Sequence, residues 1–542
     1  MALRVLYKKL SCGFVLSFAA MAYGAEMPYM DMLNPDMVFV DGAAGPTERV
    51  KVKLSPCRCP RREVSVYVSG EGSVSKVELV WNVALPKDAL IYGGDWERTY
   101  GTAGWYRMDD KAAPYEGWKP WYFLVNDGKR TDGYGLMVQP NAFGAWKVAP
   151  GSVTLSLDVR AGSHPLELKG RQWGMKACTI VDRRGDEKET PFEAAQKFCR
   201  KMCPNPRLPK EPVYGYNDWY CSYGTNTATN FLADAEFIVS LVKGEKVRPY
   251  VVVDDGWQRG RHELAKSKSE TRWASVNEKW GMDMDEFARR VKAMGAKPGL
   301  WYRPFLPDDG LPNKGIPMDP TDPALEKRIR ADMARFVKWG FVLLKADFLV
   351  YDWNGMWGAS FAESPVVQEL PEWHDRSRTT AEVVKGLYAA LREEAGDDMV
   401  IIGCNALDHF AAGLFEIQRT GDDTSGREWE RTRKMGPNTV GMRTIHHGTF
   451  YASDGDCFGL TKTDAIPWRL NSQWLDLVSR SGTALFVSWK RELTTPEVRD
   501  ALETALRRAA KVQPVGEPLD WMEHLRPVRW RFGDEERTYC WE

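Results

Sequence analysis

Between residues 212 and 511, short apolar segments alternate with amphipathic helical segments, and this alternation limits the possible folds more than any other feature of the chain. Eight of the apolar segments are predicted strands. They are 213–217, 249–255, 297–303, 341–347, 399–404, 414–420, 448–454 and 483–488. Eight strands with helices between most of them, in roughly 300 residues, favour a (β/α)8 TIM barrel over an open doubly wound sheet. No glycine-rich phosphate motif follows any strand.

The region before the barrel, 27–205, has a different pattern. Strand-like segments with alternating polarity, such as 63–69, 75–81 and 152–159, are separated by turns and predict an antiparallel β-sandwich. A helical segment at 191–203 and a proline-rich linker close this region. After the barrel, residues 512–542 resemble the first strands of a C-terminal β region that is vestigial or truncated.

The first 25 residues predict a secretory signal peptide. Arg4, Lys8 and Lys9 precede an apolar run, which ends in small residues suited to cleavage. The run is too short to span a membrane. We therefore expect an exported protein, periplasmic or extracellular, with no membrane span after signal removal. Nine of the ten cysteines would remain, and their odd number argues against a disulfide scaffold.

The amino-acid composition limits the classes of function that the chain can have. The 74 basic and 74 acidic residues balance, which argues against a nucleic-acid partner. The chain has 23 Trp, 20 Tyr and 21 Phe residues, which suit clefts where flat rings pack against sugars. The cysteine pairs at 57/59 and 199/203 lack a second ligand cluster, so no metal or other cofactor is predicted. We expect His446 and His447 to lie in a solvated loop and 427–431 to form ion pairs on a helix surface.

Most predicted barrel strands end in polar or aromatic residues. These ends are 217–220, 254–257, 301–304, 345–347, 403–405, 419–423 and 453–456. In α/β barrels the carboxyl ends of the strands carry the reacting side chains. A ring of carboxylates around one opening is hard to explain by stability, because uncompensated buried charge costs several kcal/mol. The pattern therefore predicts a ligand-binding site.

Carboxylates, few histidines and aromatic walls suit glycoside hydrolysis. One carboxylate attacks the anomeric carbon, and a second acid protonates the leaving oxygen. Asp347 lies beside Lys345, whose charge would keep a nucleophile ionised. Asp422 and Asp423 both suit the acid, and their spacing does not decide between them. Trp301 and Trp353 suit either the core or a pocket wall.

The barrel region resembles the clan D glycoside hydrolases, especially the family 36 α-galactosidases (melibiases). The resemblance covers roughly residues 212–490, and the preceding sandwich fits the family layout. The matching motifs, in order, are Tyr216-Asn-Asp-Trp-Tyr220, Asp254-Asp-Gly-Trp257, Lys345-x-Asp347, Cys404, Arg419-x3-Asp423 and Asp454-x-Asp456.

The resemblance implies a retaining exo-α-galactosidase that acts on an oligosaccharide or glycoconjugate without a metal. Asp347 would be the nucleophile and Asp423 the acid/base. The other site residues implied are Asp254, Asp255 and Lys345 as ligands of sugar hydroxyls, Trp257 as a pocket wall, Cys404 as a sugar contact, Arg303 and Arg419 as supporting donors, Trp219 and Asp456 as further contacts, and Trp96 reaching over the barrel opening.

Two departures leave the sugar open. Ala346 stands where family members usually carry a large residue, and Asn405 stands where they usually have glycine. These positions motivate a related glycosidase for an α-N-acetylgalactosaminide or a β-L-arabinopyranoside. The abbreviated C-terminal region motivates a second alternative, a carbohydrate-binding protein without catalysis.

Overall fold

The computed structural model describes residues 30–45, 47–57, 63–171, 174–260, 264, 271–306, 318–367, 369–462 and 465–542. The predicted signal peptide, residues 1–25, lies outside these ranges. Among the described residues, we find no helix with the length and apolar character needed to cross a membrane.

Eight parallel strands form a closed barrel, as the sequence predicts. Barrel strands one to eight are Tyr214–Asn217, Tyr250–Val253, Lys297–Tyr302, Leu343–Ala346, Val400–Gly403, Ile417–Arg419, Ala452–Leu460 and Ala484–Trp489. Alternate side chains, among them Val252, Leu343 and Ile402, fill the inside of the barrel. The carboxyl ends of the strands meet at one opening, called the mouth here.

The helices begin where the sequence supplies caps. Thr190 with Glu193 and Thr379 with Glu382 each form a capping box, in which side chain and backbone exchange hydrogen bonds. The longer helices are Pro191–Met202, Ala228–Leu241, Met284–Ala293, Pro323–Trp339, Thr380–Ala395, Trp468–Arg480 and Pro496–Ala509. Short helices at Trp219–Ser222, Tyr351–Asn354, Asp408–Ala411, Trp429–Arg433 and Thr439–Arg443 lie in loops near the barrel.

The N-terminal region is an antiparallel β-sandwich, again as predicted. One sheet orders its strands as Ala43–Ala44, Met37–Val40, Lys76–Trp81, Ser152–Asp158, Phe143–Ala149 and Trp118–Pro120. The other orders them as Val50–Pro56, Val64–Gly70, Met175–Arg183, Thr131–Leu136, Tyr122–Asn126, Leu90–Gly93 and Tyr106–Arg107. A small pair joins Leu166–Glu167 to Ser73–Val74. Alternating buried residues such as Val66, Val68 and Leu79 form its core.

The sandwich packs directly on the barrel. The ring of Trp121 stacks on His409, with 5.0 Å between the centroids. The Thr99 N–H donates to the Thr420 carbonyl at 2.9 Å, at the end of barrel strand six. His446 is fully buried, and its Nε2 lies 2.8 Å from the Tyr122 hydroxyl. The expected solvated loop at His446 is therefore wrong, because the sandwich covers this side chain.

The last residues form a three-stranded antiparallel sheet of Glu517–Pro518, Arg529–Phe532 and Glu535–Thr538. Its C-terminal end contacts the barrel loops. The indole of Trp541 donates to the Pro527 carbonyl at 2.9 Å, and the indole of Trp429 donates to the Trp541 carbonyl at 3.0 Å.

Candidate active site

The closed end of the site is a buried ion pair inside the barrel. Lys345 Nζ lies 2.7 Å from Asp254 Oδ2, and Asn217 Nδ2 donates to the same oxygen at 2.7 Å. Burial acts to lower the pKa of Lys345, but the Asp254 carboxylate opposes it and raises this pKa well above its usual value. A cation and a carboxylate are therefore fixed side by side at this end of the barrel.

Two further aspartates support this end of the site. Asp255 is half-buried, its backbone N–H donates to Asp254 Oδ1 at 2.9 Å, and Gln258 donates to its carboxylate at 2.5 Å. Asp218 is buried and accepts the Asp254 N–H at 2.9 Å. Burial, with the charge of Asp254, raises the pKa of Asp218 to about 7. Sequence reasoning placed Asp218 in a motif but did not recognise that it supports Asp254.

Asp347 follows strand four and is half-buried. Its Oδ2 accepts the Trp301 indole N–H at 3.1 Å, and its Oδ1 accepts the Phe348 backbone N–H at 2.8 Å. Phe348 has a φ of 57°, which is uncommon for a residue other than glycine and typical of functional turns. The structure thus resolves the open question about Trp301, which lies against the predicted nucleophile.

The two neighbouring aspartates after strand six differ in their partners. Asp422 lies between two guanidinium groups, 3.0 Å from Arg98 and 2.9 Å from Arg431. Among the described residues, Asp423 forms an ion pair with Arg419 only, at 3.3 Å, and 38% of its side chain is exposed. Asp423 is therefore the one whose carboxyl group is open to a ligand.

The charge around Asp423 favours its ionised form. Burial acts to raise the pKa of Asp423, but Arg419, Arg98 and Lys345 together lower it below its usual value. Arg98 comes from the sandwich, and its side chain is buried beside the mouth. Sequence reasoning missed Arg98, because nothing in a strand-end pattern points to a loop of another domain.

Arg419 connects the two halves of the site. Its buried guanidinium lies 3.2 Å from Cys404 Sγ and 3.3 Å from both Asp423 Oδ1 and Asp456 Oδ2. Cys404 is itself buried, at 2% exposed. The arginine therefore fixes the Asp423 carboxylate from below, while Cys404 lies against the arginine.

One carboxylate oxygen of Asp456 is occupied by protein donors. Its Oδ2 accepts from the Tyr220 hydroxyl, from the Thr424 backbone N–H at 2.8 Å and from the Thr424 hydroxyl at 3.0 Å, besides contacting Arg419. Only 3% of the residue is exposed. Through this oxygen Asp456 holds Arg419 and the loop after strand six, and the residue also lines the inner cavity beside Lys345.

Strand seven differs from its predicted bounds. The sequence predicts a strand at 448–454 that ends before Asp456, whereas the strand runs through Ala452–Leu460. Its register shifts between Asp454 and Cys457, and Asp456 has a φ of 71°, which mark a β-bulge. The polar residues of 453–456 therefore lie inside the strand, and burial raises the pKa of Asp454 to about 6.

Two aromatic predictions are wrong. Trp257 is fully buried, donates its indole N–H to the Trp301 carbonyl at 3.1 Å, and packs against helix residue Phe336. Trp96 is also fully buried and donates to the Ala362 carbonyl at 3.0 Å. Both rings fill the core, so neither forms a pocket wall or reaches over the mouth.

Arg303 is also engaged by the protein. Its guanidinium binds Asp352 through Nε at 2.9 Å and lies 3.8 Å from the centroid of the Phe348 ring. Only 7% of Arg303 is exposed. It thus holds the loop after strand four. Trp353, left open by the sequence, is fully buried and stacks on Phe143 of the sandwich.

The two residues that depart from the pattern of the resembled family, Ala346 and Asn405, are both fully buried. Side chains alternate along strand four, so Leu343 and Lys345 point inward and Ala346 points toward the helices. Asn405 is fully buried and accepts the Leu349 N–H at 2.7 Å. Neither residue lines the small inner cavity, of about 10 Å³, beside Lys345.

That inner cavity lies between the strands, at the level of Lys345, Asp454 and Asp456. A larger cavity, of about 330 Å³, lies between Pro323–Trp339 and Thr380–Ala395, and none of the strand-end residues above lines it. Within the described ranges, no three His, Cys, Asp or Glu side chains come together as a metal site.

Aromatic residues border the mouth near Asp423. Trp219 is half-buried, with its ring centroid 5.1 Å from that of Tyr223, and 38% of Tyr223 is exposed. The Arg427 guanidinium lies 4.2 Å from the Tyr223 ring centroid. The expected ion-paired helix surface at 427–431 is confirmed in part, since Glu430 pairs with Arg433 on the helix Trp429–Arg433 and Arg431 pairs with Asp422. Arg427 differs from the prediction because it stacks on a ring.

Comparisons with known proteins agree with this geometry at the level of the fold. No protein-family model matches the sequence, and no curated protein sequence matches it. Among solved structures, the chain is similar to an α-galactosidase from Thermus thermophilus in complex with p-nitrophenyl α-D-galactopyranoside, at 18% identity and a TM-score of 0.58. The alignment covers 94% of this chain and 99% of that one.

Two more solved structures share the architecture. A variant of the GH36 α-galactosidase AgaA from Geobacillus stearothermophilus, in complex with raffinose, is 12% identical with a TM-score of 0.55, covering 92% of this chain and 79% of that one. The α-galactosidase from Lactobacillus brevis is 13% identical with a TM-score of 0.53, covering 89% and 69%. The fold of this chain, a β-sandwich followed by a TIM barrel, is the fold of these α-galactosidases.

Proposed function

We propose that this chain is an exported, retaining exo-α-glycosidase that hydrolyses terminal α-galactosides. One observation carries the proposal. Asp347 and Asp423 are carboxylates at the ends of strands four and six, both partly exposed, and a buried Lys345–Asp254 pair closes the site between the strands. In a TIM barrel this end of the strands is where catalysis occurs.

The first step uses Asp347 as the nucleophile. The closed end, with Asp254, Asp255 and Lys345, holds the hydroxyls of the terminal sugar. A carboxylate oxygen of Asp347 forms a bond to the anomeric carbon as the bond to the leaving oxygen breaks, and Asp423 gives that oxygen its proton. The N–H groups of Trp301 and Phe348 hold the Asp347 carboxylate in place for this attack.

The second step reverses the role of Asp423. As a base it takes a proton from water, the water oxygen attacks the anomeric carbon, and Asp347 leaves, so the sugar is released with retained configuration. The ionised form favoured by Arg419 is the form this step needs. For the first step Asp423 must carry a proton. A bound leaving group covers the exposed side chain of Asp423 and raises its pKa, which favours this protonated form.

The burial of Ala346 and Asn405 supports a galactoside over the alternative sugars. Both residues are fully buried, Ala346 in the outer core and Asn405 against the Leu349 N–H, so neither side chain is exposed to a bound sugar. A panel of aryl glycosides tests this point. We expect α-galactoside to be the best substrate, and a clear preference for α-N-acetylgalactosaminide or β-L-arabinopyranoside would contradict it.

Hydrolysis of p-nitrophenyl α-galactoside by Asp347→Ala and Asp423→Ala tests the assignment. We expect kcat to fall at least about 10³-fold in each, with added azide restoring turnover through a galactosyl azide. Asp422→Ala is the matched control, because this neighbour is bound by two arginines, and it should keep most activity. Wild-type activity in both active-site variants would refute the proposal, and turnover of any glycoside would exclude a purely binding function.

Export rests on the sequence of residues 1–25 alone. Expression of the full chain in a bacterium, with N-terminal sequencing of the exported protein, tests it. We expect cleavage near residue 25, and an intact N-terminus in the cytoplasm would contradict export.

A further inference from the structure

Tyr223 and Arg427 form an exposed aromatic–arginine pair at the mouth. The guanidinium lies 4.2 Å from the ring centroid, and 38% of Tyr223 is exposed, which is unusual for a large ring in this chain. Each residue comes from a different loop: Tyr223 follows strand one, and Arg427 follows strand six. The pair is therefore built where two loops meet.

The pair lies beside Asp423. Arg427 follows Asp423 by four residues, and Thr424 between them is bound to Asp456 through its N–H and its hydroxyl. On the other loop, the Tyr223 ring lies 6.0 Å from the Tyr220 ring, whose hydroxyl binds the same Asp456 oxygen. Both loops therefore donate hydrogen bonds to the same carboxylate, that of Asp456, beneath the pair.

The backbone holds the pair in an uncommon conformation. Tyr223 has a φ of 43° and Ser425 a φ of 62°, each a conformation that is costly for residues other than glycine. Gly426 has a φ of 62°, and a Cβ there would lie 2.5 Å from Gly459 Cα. Such conformations persist only where surrounding contacts impose them, so the two side chains are fixed before a ligand arrives.

The position identifies which part of a substrate would lie here. If the proposed function holds, the terminal sugar occupies the closed end beside Lys345, and Asp423 must reach the oxygen of the breaking bond. The leaving group then extends from Asp423 toward the mouth. We propose that Tyr223 and Arg427 form the leaving-group subsite and that its occupant is a second sugar of an oligosaccharide.

The chemistry of the pair fits a sugar. A phenol ring offers a flat face for the C–H groups of a pyranose, and the guanidinium offers several N–H donors to hydroxyls. Trp219 supports the Tyr223 ring from the side, at 5.1 Å between centroids. A sugar here would also cover Asp423 and favour its protonated form.

Kinetics with two substrates tests the subsite. Raffinose has a sugar leaving group, whereas α-galactosyl fluoride has none. We expect Tyr223→Ala and Arg427→Ala each to lower kcat/KM for raffinose about tenfold and for the fluoride less than about twofold. Tyr223→Phe, which keeps the ring, should lie between Tyr223→Ala and the wild type.

Arg499→Ala is the matched control. Arg499 is also an exposed arginine over a ring, 5.4 Å from the Phe237 centroid, but it lies on the outer helices of the barrel. It should leave both substrates unchanged. Equal losses on raffinose and the fluoride in the Tyr223 and Arg427 variants would overturn the subsite, because they would show a structural role.

Calorimetry separates this inference from the proposed function. In Asp347→Ala, whose turnover is lost, raffinose should bind more tightly than galactose, and adding Tyr223→Ala to this variant should remove that difference. If the fluoride is not hydrolysed but the difference is present and is lost in Tyr223→Ala, the glycosidase proposal fails and the subsite stands. If raffinose and galactose bind equally, or neither binds, the subsite is refuted.

Discussion

The mouth of the barrel and the junction between sandwich and barrel both contain aspartates beside arginines, but they treat charge differently. At the junction, Arg443 Nη2 lies 2.6 Å from Asp408 Oδ1, the Tyr451 hydroxyl donates to the same oxygen, and His446 Nδ1 lies 3.2 Å from that hydroxyl. All four residues, called the junction cluster here, are fully buried. At the mouth, the carboxyl groups of Asp347 and Asp423 remain partly exposed.

This difference separates a structural charge cluster from a reactive one. Burial raises the pKa of Asp408 to about 6 even beside Arg443, and burial lowers the pKa of His446 well below its usual value. A perturbed pKa alone would therefore select the junction cluster as readily as the mouth. The mouth differs from the junction cluster because its carboxylates are incompletely paired and a ligand can reach them.

Asp408→Ala has the largest expected effect on stability. It leaves the Arg443 charge buried without its main partner, and breaking such a pair costs about 3–5 kcal/mol. We expect a large drop in the urea midpoint, with kcat on an aryl α-galactoside at low temperature changed less than about fivefold.

Asp347→Ala is the counterpart at the mouth. Because its carboxylate is half-exposed and has no cationic partner among its hydrogen bonds, unfolding should change by less than about 1 kcal/mol while activity is lost. If the two variants were equally destabilised, the distinction between the regions would fail.

Asp456→Asn tests whether Asp456 acts through Arg419. The amide weakens the hold on the arginine, so the Asp423 carboxyl group loses its position, and kcat/KM for raffinose should fall about 10- to 100-fold. The fluoride needs no acid, so its kcat/KM should change less than about threefold. Tyr220→Phe, which removes one donor to Asp456, should give a smaller loss of the same kind. A uniform loss on both substrates would indicate a general structural defect.

Trp301→Phe sharpens the description of Asp347. The phenyl ring fills most of the indole's space but cannot donate to Asp347 Oδ2. A hydrogen bond to a charged group contributes about 1.5–3 kcal/mol, and partial exposure of Asp347 reduces this, so kcat should fall about tenfold on raffinose and the fluoride alike. An unchanged rate would show that Phe348 alone positions the carboxylate.

The fold could be predicted because local and long-range signals agree. Capping residues such as Thr379 with Glu382 mark helix starts, and apolar runs such as 341–344 mark strands buried on both faces. Strand seven is the exception. Its bulge places Asp454 and Asp456 inside the strand, whereas polar residues in a sequence normally indicate the end of a strand. Buried hydrogen-bond donors from other segments stabilise these carboxylates, and no local sequence pattern predicts such donors.

The site was predictable where a charged residue interrupts an apolar strand, as Lys345 does. It was not predictable where side-chain direction decides the role. Trp257 and Trp301 both lie near strand ends, yet the first packs outward against a helix and the second donates to Asp347. Arg98 was missed because it lies in the other domain and reaches the mouth only through tertiary packing.

Arg98→Met has the smallest expected effect. It tests whether an arginine of the sandwich lowers the pKa of the proposed acid, Asp423. Arg98 lowers the pKa of Asp423, and Asp423 must be protonated to act as the acid. Its removal should therefore raise that pKa and move the alkaline limb of kcat/KM for raffinose upward by about half to one pH unit. Arg431→Met is the matched control, since Arg431 binds the same Asp422 from the other side. If both variants moved the limb equally, the cause would be the freed Asp422 charge, and the sandwich would contribute stability alone.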